Sequence, residues 1–68
     1  MDEKMEEKFR EEYKSCSTKA FNYYVEGYEN DSKKCLALAE KYKDQAYMYG
    51  KQLGLTKEEI DQDCIYQQ

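Results

Sequence analysis

The sequence predicts an all-α protein: an antiparallel helical hairpin that a short third helix completes into a small three-helix bundle. Its 68 residues include no proline and only three glycines, so long stretches are free of helix-breaking residues. Apolar side chains recur at intervals of three and four, the spacing of one helical face. A chain of this length forms at most one domain, so residues 1–68 are predicted to fold as a single helical unit.

The first helix is predicted over 2–28. Its acidic residues are concentrated in the first turns, where they interact favourably with the helix dipole. Four modest helix formers at 15–18 leave a kink open as an alternative, with Ser15 or Ser17 capping a second segment. One face of this helix carries Met5, Phe9, Tyr13, Cys16, Ala20, Tyr23 or Tyr24, and Gly27.

The second helix is predicted over 33–53, after a joint at 29–32. Because this joint is short, the second helix turns back antiparallel to the first. Asp31 or Ser32 can accept hydrogen bonds from the free N–H groups that begin the second helix. Apolar residues again follow a spacing of three and four, at Cys35, Leu38 or Ala39, Tyr42, Ala46, Tyr49 and Leu53.

The second joint contains a full set of signals for ending one helix and starting another. Gly54 suits the left-handed conformation that ends many helices. Thr56 is placed to cap the next helix, and Glu59, three residues later, completes a capping box. Leu55 and Ile60 occupy the two positions of a hydrophobic staple, so this joint predicts a sharp change of direction.

Eight tyrosines supply most of the aromatic surface, and they exceed what one hairpin seam can bury. Tyr28 and Tyr47 lie on second faces of their helices, about 120–140° from the seam, and Val25 lies opposite it. A third helix, predicted over 57–66, can cover these faces and complete a three-helix core. The alternative is an interface, with another protein or in a homodimer, because aromatic residues are enriched at interface centres. The predicted contact residues are Phe21, Tyr24, Tyr28 and Tyr47.

The residue types exclude most catalytic chemistry. Without histidine, neither a Ser-His-Asp nor a Cys-His arrangement is possible. The glycines are isolated, so they form no phosphate-binding loop. The three cysteines lack the spacing of a structural zinc site and are predicted to be free thiols in a reducing compartment. We therefore expect no enzyme activity, no metal and no cofactor. The cysteines are Cys16, Cys35 and Cys64.

The net charge of −4 is concentrated at the two ends of the chain. Residues 1–12 hold six acids and three bases, residues 57–68 hold four acids and one base, and the middle is slightly basic. This small basic excess does not predict a nucleic-acid footprint. No apolar run approaches the ~20 residues of a membrane span, and the charged start lacks the features of a secretion signal. The predicted location is therefore the cytoplasm.

Residues 46–60 resemble the helix–LGLT–helix joint of many small helix-turn-helix DNA-binding domains. That resemblance implies a second helix that enters the major groove of DNA. Here this helix begins KEEIDQD, which repels phosphates and offers no arginine for base contacts. Direct DNA binding is therefore the least favoured function, and the joint is interpreted as helix capping.

The favoured function is that of a small acidic protein that binds another protein. Two observations favour this function: the sequence lacks catalytic and ligand-binding motifs, and its aromatic surface exceeds what one hairpin seam can bury. Compact acidic proteins of this size often act as inhibitors, anti-defence factors or adaptors encoded by phages and mobile elements. Two alternatives stay open: a self-associating structural bundle, and an inhibitor that uses its acidic ends to mimic nucleic acid.

Overall fold

The computed structural model describes residues 2–65 and confirms the predicted hairpin with a short third helix. Helix α1 spans Glu3–Glu29, α2 spans Lys33–Gln52 and α3 spans Lys57–Ile65. Each of these ends lies within one residue of its predicted position. The predicted last residue of α3, Tyr66, lies outside the described residues.

Helix α1 is continuous from end to end. The Asp2 carboxylate caps it by accepting a hydrogen bond from the Met5 N–H at 2.9 Å. The helix runs without interruption through 15–18, and neither serine of that segment caps a second helix. Ser17 is buried there and donates its hydroxyl to the Lys14 carbonyl at 3.1 Å, which satisfies the hydroxyl within the helix.

The second joint has the predicted capping geometry. Gly54 takes a φ of 81°, the left-handed conformation that glycine adopts without strain. The Leu55 N–H donates to the Gly50 carbonyl at 2.9 Å, which closes the end of α2. The Thr56 N–H donates to the Glu59 carboxylate at 3.0 Å, and the Glu59 N–H donates to the Thr56 hydroxyl at 3.1 Å. This reciprocal pair is the predicted capping box.

The first joint closes α1 in a similar way. The Ser32 N–H donates to the Gly27 carbonyl at 2.9 Å, and the left-handed residue between them is Asp31, with a φ of 50°. The Ser32 hydroxyl then accepts from the Cys35 N–H at 3.2 Å and caps α2. Of the two predicted candidates, Asp31 and Ser32, it is therefore Ser32 that caps α2.

Helix α3 folds back on the end of the hairpin that holds the second joint. We call this end the three-helix half, residues 9–20 and 42–65. Its core contains few large side chains, and the helices approach closely because alanines and a glycine line their contacts. A Cβ at Gly50 would lie 2.7 Å from Ile60 Cδ1. The Ile60 side chain of α3 therefore packs directly on the backbone of α2 at Gly50. The core residues are Tyr13, Cys16, Ala20, Ala46, Ile60 and Cys64.

The opposite end, residues 21–40, has only α1 and α2 among the described residues, and we call it the two-helix half. Helix α3 has nine residues, or about 14 Å at 1.5 Å per residue, whereas the molecule is 42 Å long. Its described part therefore covers one end of the hairpin only. In the two-helix half, the helices touch where Leu36 lies against Gly27.

Candidate protein-binding surface

The structure divides the four predicted contact residues between the two halves. Tyr47 lies in the three-helix half, and the other three lie on α1 in the two-helix half. There, Tyr28 is 74% exposed, Phe21 is half-buried and Tyr24 is only 7% exposed. The four side chains therefore do not form one surface.

Helix α3 covers part of Tyr47. The ring packs against the three-helix core, and the hydroxyl donates a hydrogen bond to the Asp61 carboxylate. Burial and this hydrogen bond raise the pKa of Tyr47 to about 12. Of the two tyrosines that the hairpin seam leaves uncovered, α3 thus covers this one and leaves Tyr28 exposed.

Tyr24 joins the two helices of the hairpin. Its hydroxyl donates to the Glu40 carboxylate of α2 at 2.7 Å, and the Lys43 ammonium lies 3.3 Å from the same carboxylate. The hydrogen bond from Tyr24 lowers the pKa of Glu40, whereas burial raises the pKa of Tyr24. The Tyr24 ring also stacks on Tyr28, with centroids 6.2 Å apart and planes 14° apart. The exposed Tyr28 ring therefore packs on a tyrosine that is itself fixed between the two helices.

An apolar patch remains uncovered on α1 in the two-helix half. We call it the tip surface: Phe21, Val25 and Tyr28, at steps of four and three along one helical face. Val25 is 36% exposed and was not among the predicted contact residues. Its position opposite the hairpin seam was the sequence signal that could have identified it.

Charged residues of both signs follow the tip surface in the chain. Glu29 and Asp31 are exposed beside Tyr28 in the chain, and Lys33 and Lys34 are exposed where α2 begins. The two ion pairs found within residues 2–65 involve none of these four. A polar rim around an apolar centre is typical of a protein–protein interface.

Three tyrosines that donate hydrogen bonds to carboxylates make the stability of this protein sensitive to alkaline pH. Tyr13, Tyr24 and Tyr47 all donate to carboxylates, Tyr13 to Asp63 at 2.5 Å. Burial raises the pKa of each above the usual value near 10. The folded state holds these protons more tightly than the unfolded state, so the stabilisation is complete below about pH 10 and declines above it. For Tyr47 the contribution is lost as the pH rises through about 12.

We therefore expect the free energy of unfolding to decline as the pH rises through the alkaline range to about pH 12. Urea denaturation at a series of pH values measures it, and tyrosinate absorbance should show these three rings ionising as the protein unfolds. In Tyr47→Phe, which cannot ionise at that position, the decline should be shallower than in the wild type. A free energy that stays constant to pH 12 would contradict the assigned burial.

The thiols are all free, and two are shielded. Burial raises the pKa of Cys16, and it raises the pKa of Cys64 to about 11, so both stay protonated at neutral pH. Within residues 2–65, no group of three or more His, Cys, Asp or Glu side chains is placed to hold a metal ion. None of the helices in this range combines the length and the apolar character needed to cross a membrane.

Comparison of the chain with protein-family models, with curated proteins and with solved structures finds no match. What the protein does is therefore inferred from its own surface and core.

Proposed function

We propose that this protein acts by binding another protein through its tip surface. The observation that carries the proposal is Tyr28, a large aromatic side chain that is 74% exposed. Together with Phe21 and Val25, it forms an apolar patch of the kind that marks interaction sites. Tyrosine suits such a site because it offers a large contact area with few rotatable bonds.

The support beneath Tyr28 also favours binding. Tyr24 is fixed by burial and by its hydrogen bond to Glu40, and its ring stacks on Tyr28. A contact residue held in place before binding loses less conformational entropy when the partner arrives. The orientation of Tyr28 in the tip surface is thus restricted by its contact with Tyr24.

The finer assignment is an inhibitor or adaptor that occupies a partner's surface, of the kind that phages and mobile elements encode. It performs no chemistry of its own in this proposal. Three free cysteines, two of them buried in the core, support a reducing compartment such as the cytoplasm. The net charge of −4 helps to keep a protein with an exposed apolar patch soluble.

Affinity capture from the native host tests the proposal with a matched pair of baits. We expect Val25→Ser/Tyr28→Ser to retain roughly tenfold less of the specific partner than the wild type, because central aromatic contacts dominate binding energy. Met48→Ser, which removes another exposed apolar side chain on α2, should retain the partner as the wild type does. Equal capture by both variants would place the interface elsewhere.

Self-association is the second candidate, and the open two-helix half favours it. Two copies that meet at their tip surfaces would form a four-helix arrangement and bury both patches. Sedimentation velocity at micromolar concentration distinguishes the candidates. A dimer that Val25→Ser/Tyr28→Ser converts to a monomer would support self-association, and a wild-type monomer would eliminate it.

A further inference from the structure

A groove lies between the last turn of α2 and the first turn of α3, in the three-helix half and away from the tip surface. Its volume is about 440 Å³. Tyr47 and Leu55 form its apolar walls, the buried Ile60 forms its floor, and Lys51 and Lys57 line it from α2 and α3 respectively. The groove is thus apolar within, and its lining includes one lysine from each helix.

The two lysines are available for a ligand. Both are exposed, and neither takes part in the ion pairs found within residues 2–65. Two neighbouring carboxylates are already engaged: Asp61 accepts from the Tyr47 hydroxyl, and Glu59 accepts from the capping-box N–H. Two exposed lysines outside those ion pairs therefore lie beside an apolar groove.

The groove's own polar groups are largely satisfied. The Tyr47 hydroxyl donates to Asp61, and the Leu55 N–H donates to the Gly50 carbonyl, so neither is free for a ligand. What the groove offers is apolar surface, together with two ammonium groups. Its complement is a molecule with an apolar body and negative charge at its edges.

We propose that this groove binds an acidic–hydrophobic peptide segment, in which a bulky apolar side chain is flanked by carboxylates. The apolar side chain would occupy the space between Tyr47 and Leu55, over the buried Ile60, and the carboxylates would pair with Lys51 and Lys57. A volume of 440 Å³ lies in the lower half of the range of ligand sites, about 300–1,000 Å³, which suits one or two side chains. This site does not depend on the tip surface.

Titration of the labelled protein with the blocked peptide EELFEE, followed by amide NMR, tests the proposal. We expect saturable shifts at the groove residues, and we expect EESSEE and KKLFKK to bind at least about tenfold more weakly, because each lacks one half of the required chemistry. The double variant Lys51→Glu/Lys57→Glu should lose affinity by a similar factor. Lys33→Glu/Lys34→Glu makes the same change in net charge at the other end and should bind as the wild type does.

Three outcomes would overturn the proposal. Equal binding of EESSEE would show that the site is only electrostatic. Equal loss of affinity in the two double variants would show a general charge effect rather than a site. Shifts produced by octanoate but not by EELFEE would assign the groove to a small carboxylate instead of a peptide. Because peptide binding to the groove and partner capture at the tip surface use different variants, either can fail without the other.

Discussion

Ile60→Ala is expected to detach α3 and lower the free energy of unfolding by about 3 kcal/mol. Ile60 is 1% exposed and is the largest side chain that α3 buries completely. It packs directly on Gly50, where there is no side chain to relax into the space that alanine would leave. Large-to-small changes at such sites combine lost apolar burial with an unfilled cavity.

The expected loss is large for a domain of this size. Domains of about 60–70 residues bury a smaller share of their surface than larger domains do and are only marginally stable. Urea denaturation followed by circular dichroism measures the change. Ile65→Ala makes the same substitution on the same helix at a half-buried position, and we expect a loss of roughly 1 kcal/mol. Equal effects of the two substitutions would contradict the placement of Ile60 at the centre of the docking contact.

Gly27→Val is expected to destabilise the hairpin by about 2 kcal/mol or more, because it overpacks the helix contact in the two-helix half. A Cβ at Gly27 would lie 2.5 Å from Leu36 Cδ2 and 3.1 Å from the Leu36 backbone nitrogen. The Leu36 side chain can rotate away, but its backbone cannot move without shifting α2. Helix propensity alone predicts the opposite sign, since valine is a better helix former than glycine.

Asn22→Val provides the control for Gly27→Val. Asn22 is exposed on α1, so valine there tests helix propensity without a packing clash. We expect its free energy of unfolding to stay within about 0.5 kcal/mol of the wild type. A Gly27→Val protein that is as stable as Asn22→Val would show that the helices do not approach closely at this point.

The sequence predicted the helices and their caps well because these depend on neighbouring residues. The capping box of Thr56 and Glu59, and the left-handed Gly54, involve side chains and backbone within a few positions of one another. The helical faces follow from a fixed spacing in the same way. Such local features need no knowledge of how the helices pack.

The candidate surface was less predictable because it depends on contacts between distant residues. Tyr28 and Tyr47 were equivalent by their helical faces, and only the position of α3 distinguishes them. The partner of Tyr47 lies 14 positions further along the chain, and the partner of Tyr13 lies 50 positions further. Spacing within a helix contains no such information, although the length of α3 already limits how much it can cover.

The unfolding of Val25→Ser/Tyr28→Ser tests most directly whether the tip surface is separate from the core. Serine, valine and tyrosine have similar helix propensities, so the substitutions change exposed surface and little else. Urea denaturation should give a free energy of unfolding within about 1 kcal/mol of the wild type, the difference coming from the lost stack on Tyr24. A loss of about 2 kcal/mol or more would contradict this, because it would place Val25 and Tyr28 in the core and leave no exposed tip surface for a partner.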